Sequence, residues 1–242
     1  MNNTITDILH PKAAIVRAAG LTYIIIIVIG VLNSIFIDSR LIAYEDITQT
    51  INNILANEFL FRFGSACVLI LYVLVILLSV LLYLILKNVN KNLALLAMVF
   101  RIGEALLGIT TVLITFIVLS LLNNQFNVKS IDNVQLNILV AALLDLRITG
   151  LYIVLLLAGL GGTIFFYLFY KSFYIPKILS IWGMFTYISM LLLSLISILF
   201  PDVPGIIEIV LYGAGTLFEL TIGLWLVIKG VNVQLMKDNS GI

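Results

Sequence analysis

The chain has 242 residues, of which 62% are hydrophobic and 10% charged, with a net charge of +1. Soluble domains carry roughly 45–50% apolar and about 25% charged residues, so a cytosolic enzyme and a disordered chain are excluded. A nucleic-acid binder, which needs a basic face, is excluded as well, and a mean hydropathy of +1.22 leaves an integral membrane protein.

A membrane-spanning helix needs about 20 predominantly apolar residues. Six stretches meet this, at 18–37, 59–86, 93–122, 148–170, 178–200 and 206–228. The first has no small-x-small cleavage site after it and is expected to remain as a span rather than act as a signal peptide. The 38–58 connection carries Ile47, Ile51, Ile54, Leu55 and Phe59. That helical spacing predicts a short amphipathic helix lying on the membrane interface. The 123–147 connection begins polar and turns apolar after Asp132, and is expected to be a loop packed over the bundle. The expected fold class is all-α: a polytopic bundle of six transmembrane helices forming a single domain over residues 1–242, with short amphipathic helices on the outer side.

Orientation follows from Lys and Arg, which are enriched in cytoplasmic flanks. With the N-terminus inside, Lys12, Arg17, Lys87, Lys91, Lys171, Lys177, Lys229 and Lys237 fall on the cytoplasmic side, against Arg40, Arg62, Lys129 and Arg147 outside. This predicts N-in and C-in. Membrane helices pack through small and polar residues, and each span carries such a stripe. Examples are Gly20, Tyr23 and Gly30 in the first, Ser65, Tyr72 and Ser79 in the second, and Gly183, Tyr187 and Ser194 in the fifth. These stripes are expected to meet in the bundle interior.

An ionisable residue inside a bilayer is costly and marks a candidate site. Arg101, Glu104 and Glu219 are such residues. At 1.5 Å per residue they lie about 12, 16 and 15 Å from the inner ends of their spans, in one layer near the midplane. Arg101 and Glu104 are three apart and share a helix face. Glu219 lies one turn from Gly215 and one turn from Gly223, which would admit a neighbouring helix. The third and sixth spans are therefore expected to pack together, with Arg101 in salt-bridge reach of Glu219. Two carboxyls against one guanidinium leave one acid to be protonated, hydrated or bound to a cation.

A second, outer polar cluster is expected from Glu58, Arg62, Asp145, Arg147 and Glu208. Glu58 and Arg62 have the favourable i,i+4 order, and Glu208 opens a helix whose dipole favours an acid. The chain has one cysteine, Cys67, and one histidine, His10. No metal site, cofactor or catalytic residue is expected from so few candidate ligands.

Several segments resemble, in order, a bacterial and archaeal membrane family, domain of unknown function 4386. They are Arg17-Ala-Ala-Gly-Leu-Thr-Tyr, Asp46-Ile-Thr, Ile54-Leu-Ala-Asn-Glu-Phe-Leu-Phe-Arg-Phe-Gly, Lys87-Asn-Val-Asn-Lys-Asn-Leu-Ala, Phe100-Arg101, Lys171-Ser-Phe-Tyr-Ile-Pro-Lys and Leu224-Trp-Leu-Val-Ile-Lys-Gly. The resemblance implies a multi-pass protein of the bacterial inner membrane and implies no activity. Three classes stay open. One is a membrane-embedded binding or transport protein using the Arg101, Glu104 and Glu219 layer, with a small ligand, proton or cation as partner besides the lipid bilayer. Another is a structural, accessory or regulatory subunit in which that layer is a polar clamp. The third, an intramembrane lipid-modifying enzyme, would have to use Glu219 or Asp145 as its acid or base.

Overall fold

The computed structural model describes residues 3–43, 46–123, 132–200 and 205–232. Helix α1 (Asn3–Asn33) runs into a π-helical turn (Ser34–Asp38) and a one-turn helix α2 (Ser39–Leu41). Then follow α3 (Ile47–Ala56), α4 (Glu58–Leu86), α5 (Lys91–Leu122), α6 (Asn133–Ser172), α7 (Lys177–Leu199) and α8 (Gly205–Ile228). There is no strand among the described residues. Six helices, α1 with its continuation and α4 to α8, are long and apolar enough to cross a membrane.

These six close into a ring in chain order. Helix α4 packs on α1, α5 on α4, α6 on α5, α7 on α6 and α8 on α7, and α8 returns to α1. The short 87–90 and 173–176 connections lie at the end that holds the start of α1 and the end of α8, the proximal end. Helix α3 and the start of α6 lie at the other, distal end.

Local signals set the helix limits. Asn90 accepts a hydrogen bond from the Leu93 N–H at 3.0 Å and caps α5. Asp46 does the same for α3, from Gln49 at 2.9 Å. An N-cap of this type satisfies a backbone donor that the helix itself cannot. The amphipathic reading of α3 holds for Ile51 and Ile54, which are buried opposite the exposed Thr48, Gln49 and Asn52, whereas Leu55 and Phe59 of the expected stripe are exposed.

The 123–147 connection is not a loop where it is described. Helix α6 starts at Asn133 and continues unbroken through Arg147 into the span. Asp132 and Gln135 form a capping box at its start. Val140 then packs with Ile51 and Val118, flanked by Leu136, Leu143 and Leu144. This i,i+4 spacing of apolar residues is what carries the helix outward. Its 40 residues reach about 60 Å at 1.5 Å per residue, twice the roughly 30 Å hydrocarbon layer.

The small and polar stripes face inward. Ser79, Ser180 and Ser194 are fully buried, and Tyr23, Tyr72 and Tyr187 belong to the main core with Phe166 and Phe218. The buried serines return their hydroxyls to backbone carbonyls of their own helices. Leu, Ile and Val dominate the exposed faces. The ring closes on two glycines. A Cβ on Gly20 of α1 would lie 2.6 Å from the Gly223 carbonyl oxygen of α8, so the two backbones touch where no side chain would fit.

Candidate functional site: a buried ion pair beneath a distal cavity

Arg101 and Glu104 form a buried ion pair, Nη1 to Oε2, at 2.8 Å, with side chains 6% and 8% exposed. Helix α6 makes room for it. A Cβ on Gly161 would lie 2.8 Å from Arg101 Cγ, and one on Gly162 would lie 2.3 Å from the Tyr187 ring. The Gly161-Gly162 pair is thus a slot for an arginine stem and a tyrosine ring. Tyr187 of α7 donates its hydroxyl to Glu219 Oε1 at 2.5 Å. Its ring centroid lies 5.9 Å from the Arg101 guanidinium carbon.

The expected Arg101–Glu219 salt bridge is not formed. Glu104 takes the guanidinium, and Glu219, partly buried, takes the tyrosine hydroxyl. Nor do α5 and α8 pack side by side. Gly223 faces Ile24 and Tyr23 of α1, and Gly215 faces Thr186 of α7. The glycines around Glu219 do admit neighbouring helices, but these are the two that flank α8 in the ring. Tyr187 stands between the two, its ring 5.9 Å from the Arg101 guanidinium carbon and its hydroxyl on Glu219.

The expected outer cluster separates. Arg62 and Glu58 pair at 2.7 Å on an exposed face of α4. Asp145 is exposed. Glu208 lies in α8, and its side chain lies outside the described residues. Arg147 turns instead to Asp38, Nη2 to Oδ1 at 3.5 Å. Among the described residues no three His, Cys, Asp or Glu side chains come together as a metal site, and Cys67 is a free, partly buried thiol.

Asp38 and Arg147 line a cavity of about 300 Å³ in the distal half of the ring. It lies between α1, α4, α5 and α6. On α4 the lining runs from Phe61 to Tyr72, about 16 Å of helix. The walls are mostly apolar, among them Val68, Leu71, Ile148 and Leu151, with Asn33, Ser65, Thr111 and Thr115 interspersed. Tyr72 closes the cavity toward Glu104. Its ring sits against Gly108, where a Cβ would lie 2.1 Å from it, and its hydroxyl is in reach of Thr111.

The π-helical turn shapes the cavity wall. The Ser39 N–H bonds to the Ser34 carbonyl, the i→i+5 pattern of a π-helix. Positions five apart lie about 140° apart around an ordinary α-helix. The wider turn lets the Asn33 side-chain amide donate to Asp38 Oδ2 at 3.3 Å. Such single-turn insertions are frequent at functional sites. Asn33 is 7% exposed, and its Oδ1 is buried without a donor among the described residues.

The comparisons bear on this arrangement as a whole. The family described as "Domain of unknown function (DUF4386)" matches residues 18–230. The chain belongs to that family. The match takes in the ring helices, the ion pair and the cavity lining, and it confirms the resemblance read from the ordered segments. No curated protein and no solved structure matches the chain. The family member described here is a multi-pass membrane protein with six apolar helices.

Several of these residues escape a reading by charge. Asn33 and Tyr72 line the cavity beside Asp38, and Tyr187 bonds the acid of α8 with its ring beside the base of α5. The available signals were the Gly161-Gly162 pair and the i,i+5 spacing of Asn33 and Asp38.

Proposed function

We propose that this protein is a membrane-embedded binding protein whose ligand occupies the distal cavity. The observation that carries the reading is a cavity among four helices with an unsatisfied, buried Asn33 Oδ1 in its wall. Buried polar groups normally find partners, and ligand sites are mostly apolar pockets with a few placed polar groups. The volume falls at the lower limit of the roughly 300–1,000 Å³ of such sites, which suits a small molecule. The Arg101, Glu104 and Glu219 layer below serves as a polar clamp that holds α5, α7 and α8 in register within one transmembrane domain. The Arg101–Glu104 ion pair and the Tyr187–Glu219 hydrogen bond support that role. The proposed setting is a bacterial inner membrane with the proximal end inside, because Arg17, Lys87, Lys91, Lys171, Lys177 and Lys229 gather there.

Thiol labelling tests this reading. In a Cys67→Ala background, Ser65→Cys places a thiol on the cavity wall. A membrane-impermeant thiol reagent is expected to label it on intact cells, and labelling is expected to fall when Val68→Trp fills the cavity. Absence of labelling in both right-side-out and inverted vesicles would overturn an accessible binding cavity. Labelling only in inverted vesicles would reverse the orientation.

A further inference from the structure

We infer that the cavity selects a small uncharged amphiphile carrying a hydrogen-bond donor, of the alcohol or phenol class. This rests on the binding reading above and adds what the ligand must be.

The first argument is the direction of the hydrogen bonds in the wall. Ser65 gives its proton to the Phe61 carbonyl at 2.8 Å. Thr111 gives its proton to Gly108 at 2.7 Å, and Thr115 to Thr111 at 3.2 Å. A hydroxyl has one proton and two lone pairs, so all three present only lone pairs to the cavity. The Tyr72 hydroxyl lies in reach of Thr111. The Asn33 amide gives one of its two N–H protons to Asp38, and among the described residues Asn33 Oδ1 accepts nothing. Apart from Arg147 at the rim, the second Asn33 N–H and the Tyr72 hydroxyl, the polar groups of the lining offer lone pairs. A bound molecule has to bring the proton.

The second argument is charge. Asp38 and Arg147 are the ionisable carboxylate and base in the lining, and they face each other. Their charges cancel, so a ligand with net charge would enter an apolar cavity without a counterion, which is costly. The third is shape. Asn33 stands on α1 at the polar turn, while Val68 and Leu71 of α4 and Ile148 and Leu151 of α6 supply an apolar bed. A donor at one end of an apolar body matches that division.

Fluorine NMR on the full chain in lipid nanodiscs tests this, with 4-fluorophenol and 4-fluoroanisole as probes. The two have nearly the same shape, and only the phenol donates. One neutral hydrogen bond contributes about 0.5–1.5 kcal/mol, so the phenol is expected to bind roughly 2- to 10-fold more tightly. Asn33→Leu is expected to erase that ratio, and Val68→Trp to weaken both probes. Equal binding of the two probes to the wild-type chain, still reduced by Val68→Trp, would overturn the donor assignment and leave the cavity reading intact. Retention of both probes at their lipid-partition level, unchanged by Val68→Trp, would overturn the cavity reading itself. Tighter binding of 4-fluorobenzylammonium than of the phenol would overturn the uncharged class. The wild-type probe ratio stands as a test even if Asn33→Leu fails to fold.

Discussion

The Tyr187 hydroxyl of α7 donates to the Glu219 carboxylate of α8 at 2.5 Å. An acid on α8 is thus satisfied by a neutral donor on α7, while the base on α5 is satisfied within its own helix. Tyr187→Phe keeps the ring against Gly162 and Phe166 and removes only the hydroxyl. Leaving a buried acceptor unsatisfied costs about 1–3 kcal/mol. Thermal unfolding in detergent is expected to show a Tm lower by several degrees. Glu219→Gln, which keeps a side-chain carbonyl for the same hydroxyl, is expected to stay near wild type. A fall in Tm for Glu219→Gln as large as that for Tyr187→Phe would contradict the clamp.

The Arg101–Glu104 pair predicts strong coupling. Removing one partner of a buried ion pair costs about 3–5 kcal/mol, whereas replacing both with apolar residues is often neutral. Arg101→Met and Glu104→Leu are each expected to lower folded yield and Tm sharply. The double variant is expected to recover much of the loss. Additive losses in that double-mutant cycle would show that the two side chains do not act as a pair.

Glycine substitutions separate close approach from mere composition. Gly162→Ala places a methyl against the Tyr187 ring, and Gly20→Ala places one against the α8 backbone. Overpacking of this kind costs about 1–3 kcal/mol. Gly213→Ala meets nothing within 4 Å and is expected to leave stability unchanged or slightly raised, since alanine favours helix by about 1 kcal/mol over glycine. A ranking with Gly213→Ala as the worst of the three would refute the ring contacts.

The rim pair is expected to govern access rather than stability. Arg147 and Asp38 are 28% and 32% exposed and meet at 3.5 Å. Partly exposed pairs contribute about 0–1 kcal/mol. Arg147→Gln is therefore expected to shift Tm little. It is expected to raise the rate at which a thiol reagent reaches Ser65→Cys, by loosening the link between α1 and α6. An unchanged rate would place the barrier elsewhere.

The spans were legible because length and apolar content decide them, and the shared face of Arg101 and Glu104 because three residues along a helix form one face; that Arg101 pairs with Glu104 rather than with Glu219 was not. The partner of Glu219 was not. Gly215 and Gly223 announce close neighbours without saying which helices these are, and ring order made them α1 and α7. The α6 extension was missed because its polar start masked the 136, 140, 143 and 144 spacing that follows its capping box. The cavity was illegible for a geometric reason. It depends on a π-helical turn that brings Asn33 to Asp38, and an α-helical wheel separates those two residues.

The Gly20–Gly223 contact joins α1 to α8. During synthesis, α1 must wait until α4 to α8 have been made before that seam can form. Arg101 and Glu104 travel together on α5, so their charges cancel as soon as that helix winds. Glu219 arrives last, directly after the helix that carries Tyr187. The order of translation thus delivers Glu219 after its partner Tyr187, and α8 both finds its hydrogen bond and locks the circle.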